Sequence, residues 1–315
     1  GGVDACRGLS AEWSPDMSAV FPSTVGGRQD GWMRCGPELL DELAFPDRPP
    51  WHRMGLQRVG GDDWLPPMSG ALSTLRAKRR LLAWVPDRIF VTDDADSGRL
   101  DRVAKVLEPH RESCAMEVPA VTRFAPYERF VAAAAAVVDD VCVMERRDGV
   151  HCLVAGAVWF PSRWDLRDRV GGSARAIHGP VPDDGSNMAG RAQHFMARIR
   201  PGDIWGRTNW FLHDRPVRWA PRRPARPRDL TGQDPPRLWV RSERQTLYAV
   251  DEDVLIFTIR TRLAPVSVFA ARPQSASALR HHLEVLPDEL AAEKVDPEHV
   301  APLIDYLTRC AATNS

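Results

Sequence analysis

Residues 141–160 read VCVMERRDGVHCLVAGAVWF, two apolar runs on either side of Asp148-Gly149. An Asp-Gly pair between apolar runs is a strong hairpin signal, because a tight two-residue turn needs positive φ at both positions. The stretch predicts a strand, a turn and an antiparallel second strand. It also marks a change of period. Upstream the spacing is helical: Ser69 to Trp84 carries Leu72, Leu75 and Leu82 among basic residues. Ser97 is read as the N-cap of a helix with Leu100, Val103, Ala104 and Leu107 on one face, ending at Pro109. A third helix has Pro126 near its first turn and runs through Phe130 to Val138.

Downstream of the hairpin, a helix after Asp183 places Met188, Ala192, Phe195 and Ile199 on one stripe. A strand IWGRTNWFL (204–212) follows, then a proline–arginine loop between Arg215 and Arg237. Two further strands, LWVRSERQTLYAV (238–250) and VLIFTIRTRL (254–263), flank the acidic turn Asp251-Glu252-Asp253. The last helix has Asp296 as cap, Pro297 at its first position, and Val300, Leu303, Ile304 and Leu307 as its stripe. About five strands joined by turns or a single helix make a largely antiparallel sheet, so the class is α+β with flanking helices. Residues 1–50, rich in Pro, Gly and Trp, read as a wrapping segment with a short helix from Pro37 through Leu39, Leu40 and Leu43. Residues 51–315 read as one domain.

The chain has 42 basic and 42 acidic residues, so no global field recruits nucleic acid or membrane. Only Lys78, Lys105 and Lys294 among the basic residues are lysine. No apolar run approaches the roughly 20 residues of a spanning helix. GGVDACRGLS lacks the basic and apolar regions of a signal peptide. The six cysteines are scattered, with no CxxC pair, and Cys142 and Cys152 read as small buried hydrophobes. A reducing cytoplasm is the expected compartment.

The strands carry an unusual load of charge. Alternation puts Arg207 and Asn209 on one face of their strand, and Arg241, Glu243 and Gln245 on one face of the next, with Ser242 and Arg244 opposite. Arg260 interrupts an otherwise apolar strand. Arginine among apolar strands needs a partner. Two explanations are open: a structural ion network in which Glu243 pairs with a neighbouring arginine, or an anionic ligand gripped by guanidinium groups. AIHGPVP (176–182) sets His178 before Gly179-Pro180, a stiff loop that can aim a neutral imidazole at a metal or hydrogen-bond a carbonyl. No HxxxH or HExxH pair, phosphate-binding glycine motif or GxSxG elbow is present. The stretch RPVRWAPRRPARPR reads as a solvated loop packing over the sheet, not as a nucleic-acid site.

The order of segments adds a resemblance. GAVWFPSRWDLRDRVGGSARAIHGPVP, GRTNWFL, LWVRSERQTLYAV and IFTIRTRLAPV resemble, in that order, the core elements of the haem-dependent oxidative N-demethylases. MGLQRV, KRRLL and VLPDELAAEKV fit weaker flanking elements, so the likeness spans about residues 52 to 310. The chain departs from the usual pattern at Val138-Asp139-Asp140, at Tyr248-Ala249-Val250, and at Glu293 before Lys294. The resemblance implies a PAS-like haem fold and a haem b (heme b) cofactor. It implies His178 as the axial iron ligand, with Asn209, Arg241, Arg244 and Arg260 around the haem and Arg207 and Glu243 as catalytic residues. It further implies dioxygen and a small amine as substrates, formaldehyde as a product, and electrons from a separate NAD(P)H-dependent flavin and iron–sulfur reductase. The alternatives are a haem-bearing gas or redox sensor without turnover, other haem–oxygen chemistry, and a scaffold that has lost its haem.

Overall fold

The hairpin is present, built from β3 (Asp140–Arg147) and β4 (Val150–Ala157). Asp148 and Gly149 sit at φ 50° and 78°, as a tight turn of this kind requires. The protein is described as a computed structural model covering residues 39–43, 55–116, 121–173 and 188–312. Before the hairpin come α1 (Leu39–Glu42), β1 (Gln57–Arg58), α2 (Ala71–Trp84), α3 (Pro86–Ile89), β2 (Phe90–Thr92), α4 (Ser97–Leu107) and α5 (Glu128–Ala136). After it come α6 (Met188–Met196), β5 (Ile204–His213), β6 (Trp239–Ala249), β7 (Val254–Pro265), α7 (Pro273–Glu284), α8 (Asp288–Lys294) and α9 (Val300–Ala312).

All strand pairs are antiparallel, in the order β1-β5-β6-β7-β3-β4-β2. The five strands legible in the sequence form the centre. The chain makes the β3–β4 hairpin, crosses the whole sheet to β5, and returns through β6 and β7 to pair with β3, a PAS-like arrangement. The sheet has seven strands instead of about five. The two additions, β1 and β2, are edge strands of two and three residues, too short to show any period. The cap of α4 is also shifted by one residue: the Asp96 carboxylate, not Ser97, accepts the backbone N–H of Arg99 at 2.6 Å. Cys142 is buried as expected, but Cys152 is half-exposed, bridging to Ser173 at the strand edge.

The two faces of the sheet differ. The helical face carries Val141, Val143, Ala155, Ala157, Val254 and Ile256, packed against α2, α4 and α5. Towards its other end, Trp210, Leu212, Val240 and Ala264 pack against α7 and α9. The opposite face is crossed by the β4–β5 connection, whose Leu166, Phe195, Met196 and Ile199 lie on Cys142, Met144, Leu247, Leu255 and Phe257. Gly156 permits that approach: a Cβ there would meet Leu166 Cδ1 at 2.8 Å, closer than real contacts allow. Lys78 ties the helical layer to the sheet. Its buried ammonium donates to the carbonyls of Ala134, Val137 and Asp139 at 3.0, 2.9 and 2.6 Å, closing the C-terminus of α5. It also lies over the Trp159 ring, 4.0 Å from its centre.

His151, on β4, is fully buried, and neither ring nitrogen has a hydrogen-bond partner. Burial pushes its imidazole down to about 4, Arg146 adds to the shift, and Asp253 opposes it. An unfolded histidine titrates near 6.5, so between these values the unfolded chain binds more protons. Stability held above pH 6.5 is therefore lost as pH falls towards 4. His151→Leu is expected to flatten this part of the acid limb in urea midpoints measured across that window. An unchanged limb would show that the imidazole is not held neutral.

Candidate functional site

The crossover face grades from apolar to polar along its length. The register aligns Trp205, Leu247, Phe257 and Cys142 in one row across β5, β6, β7 and β3. The next row holds Arg207, Gln245, Ile259 and Asp140; beyond it come Asn209, Glu243 and Thr261, and then Phe211, Arg241 and Leu263. The cause is sequence alternation carried through an unbroken register: every second residue of RTNWF, RSERQTL and FTIRTRL faces this side.

A hydrogen-bonded chain runs through the polar rows. Arg241 Nε donates to Glu243 Oε1 at 2.8 Å, Gln245 Nε2 donates to Glu243 Oε2 at 3.0 Å, and Arg207 Nε donates to Gln245 Oε1 at 2.8 Å. Arg241 is completely buried. Its remaining N–H groups reach Arg218 O at 2.8 Å, Thr261 Oγ1 at 3.1 Å and Phe160 O. This guanidinium is committed to protein acceptors, so at Arg241 and Glu243 the ion network is the observed arrangement. Arg207 is half-buried at the junction of the apolar and polar rows, and burial lowers its affinity for a proton while Glu243 raises it.

Asn209 joins the same cluster through a residue whose part the sequence reading left out. Lys294, at the end of α8, donates to Asn209 Oδ1 and to Trp210 O, the latter at 3.0 Å. Its ammonium lies over the Trp210 and Phe211 rings at 5.1 and 4.8 Å. Burial pushes the amine down to about 8, with Arg207 adding and Glu243 opposing. His213 closes the polar end: its Nε2 meets Ser162 Oγ at 3.2 Å, and burial, then Arg241, Arg163 and Arg223, hold it well below the usual imidazole range. Lysine is rare in this chain, and of its three lysines Lys105 is exposed. Two of the three are buried, where a compact ammonium fits and a planar guanidinium does not.

The structure thus brings together Arg207, Asn209, Arg241 and Glu243, and adds Gln245 and Lys294. Arg244 and Arg260 do not join them. They face each other in register on the helical side, where Arg260 holds the Asp139 carboxylate at 3.0 and 2.8 Å. Arg244 donates to the carbonyls of Trp64 and Asp63. His178 lies outside the described residues.

A haem is a flat apolar ring with two carboxylates on one edge and an iron that takes one or two donors from the protein. The crossover face fits that chemistry. Half-buried Trp205, Leu247 and Phe257 offer apolar surface, and the Arg207 guanidinium lies in the next row of the sheet. On α6, whose Phe195 packs edge-on to Trp205 at 5.1 Å, both amide atoms of Gln193 are buried without a partner. Orphaned buried polar atoms of this kind mark places where a further group belongs. Among the described residues no group of three or more His, Cys, Asp or Glu side chains could hold a metal by itself.

These features define an α+β protein with a PAS-like sheet and a sheet-lined, predominantly cationic site. The family model for the haem-dependent oxidative N-demethylase, alpha subunit-like, proteins matches residues 99–301 and includes every strand from β3 to β7. The match takes in well over half of the chain, and the protein belongs to this family. Among the described residues no helix is long and apolar enough to cross a membrane.

Proposed function

We propose that this protein is a haem-dependent oxidoreductase that uses dioxygen to demethylate a small amine, with formaldehyde as the second product. The observation that carries the reading is the apolar-to-cationic grade of the crossover face, set within a family match that spans it. Bound haem would supply the oxidation: an N-methyl amine, dioxygen, two electrons and two protons give a carbinolamine and water, and the carbinolamine separates into formaldehyde and the demethylated amine.

The chain's own residues hold, orient and exclude. His178 is proposed as the residue that would hold the haem iron. Arg207 is proposed to meet an anionic group at the apolar–polar boundary, its Nε held by Gln245 and Gln245 in turn by Glu243. Glu243 is then a positioning residue: both its oxygens are occupied, by Arg241 and Gln245, so it acts on a substrate through its neighbours. Asn209, held by Lys294, offers an amide to the same region. Trp205, Leu247 and Phe257 keep water from the reacting carbon. Arg244 and Arg260, on the helical face, serve the scaffold.

The absorption spectrum of the purified protein tests the reading first. A Soret band is expected as purified or after haem reconstitution, and its absence in both cases would end the haem proposal. Formaldehyde release from methylamines under an artificial reductant is expected next; a haem protein that never releases it would be a sensor or carry out other chemistry.

A further inference from the structure

The proline–arginine loop is left without a role by the reading above. Residues 215–237 contain seven arginines, two aspartates and no lysine or glutamate, a net charge of +5 within a chain whose total is zero. We propose that this loop, through Arg222, Arg226 and Arg228, is the docking surface for an acidic electron-donor protein. The inference rests on the proposed reaction, whose balance requires two electrons from outside the chain.

The three arginines are exposed, and among the described residues no carboxylate pairs with any of them. Arg215, in contrast, lies 3.8 Å from Asp214 and Arg223 3.8 Å from Asp296. The last of the three lies six positions after the first, so all lie within about 20 Å along the chain. Repelling cations on one short loop cost stability unless something offsets them.

The loop is also held stiffly, which lowers the entropy lost on docking. Pro221, Pro224 and Pro227 fix its backbone between the arginines. Ala220 N donates to Pro161 O at 3.0 Å, and Arg163 N donates to Ala220 O at 2.6 Å. Arg228 N donates to Asp214 Oδ2 at 2.9 Å, and Arg228 O accepts from His299 Nε2 at 2.7 Å. Beneath the loop Arg218 and Trp219 are buried, the first donating to Thr74 Oγ1 at 3.0 Å and the second under Arg88. The same loop abuts the candidate site: Arg218 O accepts from Arg241, which pairs with Glu243. A donor seated here docks against the polar end of the crossover face.

The chemistry of the surface selects a protein over a nucleic acid. Forked guanidinium groups suit carboxylates as well as phosphates. The stretch's tryptophan, however, is buried, so it offers no stacking platform to a base, and no helix or strand rises from the loop to enter a groove.

The test measures binding of the full chain to an acidic [2Fe–2S] ferredoxin by biolayer interferometry, for the native protein and for the combined variant R222E/R226E/R228E. Binding is expected at low ionic strength, weakening as salt is raised, with the variant at least about tenfold weaker. Urea midpoints should match, since the three exposed side chains make no ion pair among the described residues. Equal binding by both proteins, or none by either, overturns the proposal. So does tighter capture of duplex DNA than of ferredoxin, or a dimer of the native chain that the variant dissolves. Binding is read without reference to the Soret band. A haem-bearing protein that ignores ferredoxin therefore fails this inference alone, while a protein that never takes haem fails the functional reading whatever it binds.

Discussion

Arg241→Ala is expected to lower stability by about 3–5 kcal/mol, the range for breaking a buried ion pair by removing one partner. The guanidinium is 0% exposed and makes four hydrogen bonds, to Glu243, Arg218 O, Phe160 O and Thr261. Its removal leaves the buried Glu243 carboxylate with the Gln245 amide as its hydrogen-bond donor and only the more distant charges of Arg207 and Lys294, and frees the carbonyls of Arg218 and Phe160. It also severs β6 from the segment after β4 and from the arginine loop. The comparison that isolates the charge is Arg241→Met with Glu243→Leu: removing both partners should cost markedly less than removing the arginine alone, because no unpaired charge remains. Urea midpoints at constant slope decide the matter. A loss below about 1 kcal/mol for Arg241→Ala would mean that water enters and solvates Glu243, and that the network is not dry.

Much of this arrangement was legible in the sequence, and the part that was not has a physical reason. The hairpin was readable because Asp148-Gly149 meets a conformational demand few dipeptides satisfy, and the central strands because their alternation runs for eight residues or more. The grouping of Arg241, Glu243 and Gln245 follows from the period of a single strand. Arg260 was a different problem. Its face is fixed only relative to β6, and a shift of one residue in pairing would have moved it beside Glu243. Register depends on the whole sheet, so no local pattern could place it. Lys294 was hidden for the same kind of reason: it reaches Asn209 from 85 positions away, along a helix whose packing the chain alone does not announce. The scarcity of lysine decided nothing by itself: of the three lysines among 42 basic residues Lys105 is exposed, while Lys78 and Lys294 cap carbonyls in the interior.

His178→Ala is expected to abolish or strongly weaken haem retention while leaving stability within about 1 kcal/mol of the native protein. His178 would supply the protein's donor to the haem iron; without it, affinity should fall to what apolar contact and carboxylate pairing provide. Imidazole added to the buffer should restore part of the Soret band, because a free ring can replace the missing donor. That rescue separates loss of a ligand from general disruption, which no added ring repairs. The control is His213→Ala. His213 is another imidazole of the crossover face, kept neutral by burial and hydrogen-bonded to Ser162 at the polar end. The band should survive its removal. If the band disappears with His213 and persists without His178, the residue that would hold the iron is on β5, and the assignment to His178 is wrong.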